Sequence, residues 1–223
     1  MHNNEKEVGI FGIVDYDEYW KSRKTRNRTY KTEIHHILVD LVKKYTVHGN
    51  KVLDLGVGPG HVFKELMSEF DMYGVEFADE AFALYDFDAS KIIKHDLQNG
   101  IPNLPALPFS TIIASHIVHH MRNPISFIKQ SQQNLKENGI FILATQNISF
   151  IPYRLKYFFF GEFPKVSPGH VNFISPYEYK KILTNLGFDI IEIKTTGRHT
   201  FLNYFFPFLF SGTLFFVCRK KKN

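Results

Sequence analysis

Lys51 to His61, KVLDLGVGPGH, limits the folds open to this chain more than any other stretch. The apolar run Val52-Leu53-Asp54-Leu55 leads directly into glycines at alternate positions, Gly56, Gly58 and Gly60, and a helical pattern begins at Val62. A short β-branched and leucine run ending in glycine reads as a buried parallel strand that turns sharply into a helix. Glycine has no Cβ, so the loop lets a ligand lie almost against the backbone. The unpaired N–H groups of the helix start then face that ligand.

Spacing distinguishes two cofactor classes that use this device. The dinucleotide fingerprint G-x-G-x-x-G would place its third glycine at position 61, which is His61. The third glycine comes one residue early, at Gly60, and Asp54 stands two residues before the first. D-x-G-x-G-x-G resembles the first motif of class I S-adenosylmethionine-dependent methyltransferases, and all four fixed positions are present. The resemblance implies an α/β fold: a doubly wound, mostly parallel seven-stranded sheet whose last strand is antiparallel. S-adenosylmethionine would lie across the carboxyl ends of the first strands.

Length and composition agree with one such domain. A chain of 223 residues with 44% hydrophobic and 22% charged residues fills one α/β core. The division expected is an N-terminal extension or lid over residues 1–30 and a methyltransferase domain over 31–223. The single cysteine, Cys218, excludes an internal disulfide framework and fits a reducing, cytoplasmic location. The N-terminus MHNNEKEVGIFG is too polar and acidic for a signal peptide. A net charge of +5 permits an anionic substrate or surface but falls short of a nucleic-acid-coating balance.

The N-terminal segment carries Tyr16, Tyr19 and Trp20, and five of the eight residues from Lys21 to Arg28 are basic. A basic run is most simply a solvated helix face. In resembling methyltransferases a Tyr-Trp segment folds over cofactor and substrate, which makes Tyr19 a substrate-side candidate. Ile34, Ile37, Leu38, Leu41 and Val42 then recur at helical spacing within Lys31 to Tyr45, the helix feeding the first strand.

Downstream motifs follow in order. Met72 to Glu76 is the second strand, and Glu76 comes 22 residues after Asp54, near the spacing at which an acid reaches ribose hydroxyls. A carboxylate accepts from both hydroxyls of a vicinal diol. Phe77 can pack on the adenine face or belong to the core. Asp79 to Asp86 reads as a helix with Asp79 as its N-cap. Lys91 to Lys94 is the third strand, closed by His95-Asp96-Leu97. By the resemblance Asp96 accepts the adenine amino group and the neighbouring Leu97 backbone completes that edge. Asn99 to Phe109 is a proline-rich loop.

Thr111 to Ser115 is the fourth strand, and it runs into HIVHHMRNP. Many small-molecule methyltransferases carry a similar S-x-x-V-L-E-H followed by D-P or N-P. Ser115, Val118 and Asn123-Pro124 fit that pattern, and the pair His119-His120 stands where it carries leucine and glutamate. In the family this strand end faces the transferred methyl group, so Ser115 falls to the cofactor, and His119 and His120 are the candidates for proton transfer beside the acceptor. Histidine is suited to that role near neutral pH. Pro124 opens a helix expected to end at Asn138-Gly139. Ile140 to Thr145 is the fifth strand. The stretch from Gln146 to Tyr179 reads as a long aromatic substrate loop, with Asn147, Tyr153, Arg154 and His170 as its polar candidates. Pro176 to Leu186 is a helix capped by Ser175, and Phe188 to Thr195 is the sixth strand. Gly212 to Cys218 supplies the seventh.

Thr200 to Cys218 is a run of 19 residues without formal charge, and Arg219 to Lys222 follow it. Polar and proline interruptions favour an aromatic loop plus strand over a spanning helix. Peripheral membrane contact through its aromatics and lysines remains open. No metal-ligand spacing, cysteine pair or phosphate-loop lysine competes, so no metal is expected. The N-P-P-[YF] stretch of DNA-methylating relatives is absent, and DNA is not an expected partner. The stretch from Gly74 to Tyr179 is most similar to small-molecule enzymes acting on sugars, lipids or quinones, and to MetW-type methionine-biosynthesis proteins. The resemblance therefore implies methyl transfer to a small-molecule acceptor. Two alternatives stand: a MetW-like cofactor-binding partner of a biosynthetic acyltransferase, and a membrane-associated methyltransferase with a lipid-linked acceptor. The sequence leaves the oligomeric state open.

Overall fold

The computed structural model describes residues 7–9, 12–25, 32–161, 170–196 and 205–222. Arg26 and Arg28 of the basic run, residues 162–169 of the aromatic stretch and residues 200–204 of the tail lie outside them.

Seven strands form one sheet: β3 (Lys51–Leu55), β4 (Asp71–Glu76), β5 (Ile92–Lys94), β6 (Phe109–Ser115), β7 (Leu135–Gln146), β8 (Phe188–Thr195) and β9 (Thr213–Lys220). Their order is β5-β4-β3-β6-β7-β9-β8. The first five pair in parallel, and β9 is inserted antiparallel between β7 and β8. The expected doubly wound architecture is therefore present, including its antiparallel last strand. The order reverses between β3 and β6, the switch point outside which α/β folds bind ligands. A small antiparallel hairpin, β1 (Glu7–Gly9) with β2 (Gly12–Val14), precedes this unit.

Alternation along the buried strands divides the core in two. Leu53 and Leu55 of β3, Ile112 and Ala114 of β6, and Leu214, Phe216 and Cys218 of β9 pack on one face. Val52, Ile113, Phe215 and Val217 pack on the other, against Leu38, Leu41 and Val42 of α2 (Glu33–Tyr45) and Phe63 and Leu66 of α3 (His61–Leu66). The first face is covered by Phe127 and Ile128 of α5 (Pro124–Asn134) and Tyr179 and Leu183 of α7 (Pro176–Asn185). Ser175 caps α7 as expected: its hydroxyl accepts from Glu178 N while the Glu178 carboxylate accepts from Ser175 N. Among the described residues, no helix is long and apolar enough to cross a membrane.

Several local expectations need correction. Helix α5 ends at Asn134, before Asn138-Gly139. β7 begins at Leu135, and its pairing with β6 jumps from Phe109–Leu135 to Thr111–Ile140. Asn138, at φ 58°, turns the backbone inside this bulge rather than capping a helix. The buried Lys220 ammonium donates to the Leu135 carbonyl at 2.8 Å and fastens the near end of the bulge. Asp79 is not an N-cap. It occupies the first turn of a short helix, α4 (Asp79–Phe82), after Ala78, and pairs with Lys94 outside. The Gln146–Tyr179 stretch is not all loop: Pro152 in the first turn and Gly161 in the left-handed C-cap bound α6 (Ile151–Phe160). The tail contains a short helix, α8 (Pro207–Phe210), and then β9, as the loop-plus-strand reading requires.

Candidate functional site

A cavity of about 580 Å³ opens at the carboxyl ends of β3, β4 and β6. Its floor is the glycine loop. Gly56, Gly58 and Gly60 adopt φ of 80°, 57° and 78°, a region L side chains avoid. A Cβ at Gly60 would lie 2.6 Å from the Phe87 ring, and one at Gly58 would lie 3.2 Å from Trp20. The loop therefore requires glycine both for its turn and for the close packing above it.

Three carboxyls line the cavity: Asp54, Glu76 and Asp96. Asp54, 3% exposed at the end of β3, is pushed up to about 8 by burial and then by the neighbouring Glu76 charge. A cationic ligand relieves that penalty. Glu76 Oε2 accepts from Gly58 N at 2.7 Å, and Oε1 accepts from Phe77 N and Ala78 N at 2.8 and 3.0 Å. These bonds occupy most of a carboxylate's acceptor sites, so a ligand diol shares or displaces the Gly58 contact. Asp96 Oδ1 accepts from Gln98 N at 2.8 Å, which starts a 3-10 turn at Leu97. Phe77 stands at the rim, 47% exposed, as an aromatic face rather than core. The donor set fits S-adenosylmethionine: an uncompensated acid for the cationic methionine part, an acid beside the glycine loop for the ribose, and Asp96 with the Leu97 backbone for the adenine edge.

The roof comes from α1 (Tyr16–Thr25), whose Tyr16, Tyr19, Trp20 and Arg23 all line the cavity. The helix is fastened to α4 by Glu80 N donating to Asp17 at 3.0 Å. Arg23 lies 5.6 Å from the Tyr19 ring centroid and 5.9 Å from that of Trp20.

Histidines line the same cavity. β6 stops at Ser115, and His116 takes φ 53°, an uncommon geometry for a side-chain-bearing residue that often accompanies function. A 3-10 turn over Val118–His120 follows. Val171 N and Asn172 N both donate to the His119 carbonyl, at 3.0 and 3.2 Å, and the Asn172 amide donates to Met121 O. This tie brings His170 onto the pair. The His119 ring centroid lies 4.4 Å from that of His120 and 4.0 Å from that of His170, and His120 and His170 are 4.8 Å apart. Burial lowers His119 well below its ordinary value, takes His116 down to about 4 and His170 to about 3, and neighbouring imidazoles add to each effect. These three rings are neutral near pH 7.

A family model described as a methyltransferase domain matches residues 21–193. The chain belongs to the methyltransferase-domain family. It is a class I S-adenosylmethionine-dependent methyltransferase, and S-adenosylmethionine is its cofactor. Among similar proteins, a ubiquinone biosynthesis O-methyltransferase of Rickettsia typhi is 26% identical over 205 residues, covering 86% of this chain and 82% of its own. A tRNA U34 carboxymethyltransferase of Aeromonas hydrophila is 30% identical over 104 residues, covering 44% of this chain and 32% of its own. In fold, an S-adenosylmethionine-dependent methyltransferase from Archaeoglobus fulgidus superposes with a TM-score of 0.67 at 16% identity, covering 92% of this chain and all of that one.

In this methyltransferase most of the expected residues converge. Asp54, Gly56, Gly58, Glu76, Phe77, Asp96, Leu97, Ser115, His119, His120, Tyr19 and His170 all line one cavity, and Gly60 caps the helix beneath it. Two substrate candidates do not reach it. The buried Asn147 amide donates to Phe208 O and Ser211 O, both at 2.7 Å, and its carbonyl accepts from Ser149 N. Its hydrogen bonds fix the turn after β7 to the tail. Arg154 lies exposed on the outer side of α6, while its neighbour Tyr153 faces the cavity and accepts from Gln146 at 2.8 Å. Gln146 and Gln98 escape sequence reasoning. Gln98 donates to His120 O at 2.8 Å and accepts from Arg122 N at 3.0 Å, locking the histidine turn to the Asp96 turn. Its position directly after Asp96-Leu97 was the only signal available.

Proposed function

We propose that this enzyme transfers the methyl of S-adenosylmethionine to a hydroxyl oxygen of a small, partly aromatic acceptor of the quinone-precursor type, in the cytoplasm. The observation that carries the reading is one continuous cavity lined by carboxyls and a glycine loop and, with them, by imidazoles and the phenols of Tyr16, Tyr19 and Tyr153. The relatives named as ubiquinone biosynthesis O-methyltransferases point the same way. Bound cofactor supplies an activated methyl, so the protein's part is alignment, exclusion of water and removal of the acceptor proton. Asp54, Glu76 and Asp96 hold the cofactor, α1 closes over it as a lid, and the histidines receive the acceptor hydroxyl, His120 being less buried than His119 and His170. Tyr19 and His170 border the acceptor.

The experiment is a screen of catechols, phenols, sugars and carboxylates with labelled cofactor. Labelled phenolic ether as the preferred product supports the proposal. Turnover only on nitrogen or carboxylate acceptors refutes the hydroxyl assignment. Cofactor binding without turnover on any acceptor, together with a stable acyltransferase complex, would instead establish a cofactor-holding partner.

A second reading concerns where the acceptor lies. Phe158, Phe159 and Phe160 at the end of α6 are 79%, 67% and 75% exposed, and Phe205 and Phe206 are more than half exposed. Such a set suits an acceptor carrying a long apolar chain held at a bilayer surface.

A further inference from the structure

We infer that His119, His120 and His170 form a binding site for one divalent transition-metal ion of the zinc class, with its fourth coordination position open to the cavity. One ring nitrogen from each histidine lies within 4.8 Å of the others. Zinc binds imidazole at about 2.0–2.1 Å in a tetrahedron, which sets ligand nitrogens roughly 3.4 Å apart, so closing the set requires ring shifts on the order of 1 Å. His119 is only 4% exposed and its Nδ1 has no hydrogen-bond partner. A buried polar atom left unbonded is costly. A cation within reach of one nitrogen from each ring supplies the partner that His119 Nδ1 lacks. Among the described residues the group contains no carboxylate, and an all-imidazole set favours zinc, copper, nickel or iron over magnesium or calcium. The set is also built. Two backbone N–H groups hold the 170–172 segment on His119, and Gln98 holds His120.

Three protein ligands with an open fourth position are the arrangement of a catalytic rather than a structural zinc. Ion binding stands on the cluster alone; its use rests on the methyl-transfer reading above. There the acceptor hydroxyl occupies the open position and loses its proton to solvent. Its oxygen then attacks the methyl carbon, a C–O bond forms, and the C–S bond breaks with its electron pair left on sulfur. The three rings act as ligands and not as bases.

The test uses tag-free, chelator-treated full-length protein titrated with cobalt(II) and zinc(II), following visible absorption and bound metal. Expected is one ion per chain with the intense absorption of four-coordinate cobalt, weakened at least tenfold in His170→Ala and in His120→Gln and unchanged in His48→Ala, an exposed residue elsewhere. No binding by the folded wild type, or binding that both cavity variants retain, overturns the site. Should neither variant fold, the wild-type spectrum decides, because weak six-coordinate absorption contradicts three closed imidazoles. Titrating the same preparations with S-adenosylmethionine separates the two readings: cofactor binding without metal binding sinks only the metal site, and metal binding without cofactor binding sinks only the methyl-transfer role.

Discussion

Glu76 both holds the glycine loop, through Gly58 N, and lines the cavity. Glu76→Ala removes charge-assisted hydrogen bonds worth about 1.5–3 kcal/mol, so S-adenosylmethionine should bind roughly tenfold or more weakly by calorimetry. Undiminished affinity would remove Glu76 from the site. Asp54 gives a pH prediction. Its folded-state value of about 8 exceeds the ordinary 3.8, so between these values the folded chain holds a proton that the unfolded chain has lost. Its contribution to stability therefore falls as pH rises through that window. A bound cation favours the ionised carboxyl, so cofactor binding should release a proton and tighten from pH 6 to 8. Calorimetry in two buffers of different ionisation enthalpy measures that release, and Asp54→Asn should abolish it.

At the scale of elements, α1 bears on the glycine loop directly, since Trp20 lies over Gly58. Trp20→Ala should raise the cofactor dissociation rate several-fold while leaving Tm nearly unchanged, because α1 buries no residue fully. A large fall in Tm with unaltered dissociation would make α1 a structural element only. The α7 cap behaves oppositely. Ser175→Ala should cost about 1 kcal/mol, which for a chain of this size lowers Tm by about 2–4 °C, without changing cofactor affinity. Cap chemistry of this kind was readable in the sequence because Ser175, Pro176 and Glu178 are local partners. The end of α5 was not, because Asn138-Gly139 serves a left-handed residue equally well in a helix cap or in a strand bulge, and pairing with β6 decided between them.

For the whole molecule, β9 is the decisive strand: Phe216 packs into one core and Phe215 into the other. Deleting the chain from Gly212 onward should yield an unfolded, aggregating protein. A truncated chain that stays folded would contradict the central position of β9. Removing the exposed aromatics instead, as Phe158→Ser with Phe160→Ser, should leave Tm unchanged and reduce sedimentation with anionic vesicles at low salt. No loss of sedimentation would refute the bilayer reading.

By itself the sequence determined the strand–loop–helix at 51–66, the alternation of strands and helices and the three acids that line the cavity, because each depends on residues close along the chain. Strand periodicity, glycine conformation and acids at strand ends are local signals. Tertiary structure decided what depends on distance. It turned Asn147 into the turn after β7, left Arg154 outside while Tyr153 entered, and used backbone bonds to His119 to place His170 beside a pair fifty residues earlier. No ligand spacing could announce that cluster, because two of its members are adjacent and the third arrives only when residues 170–172 dock on the histidine turn.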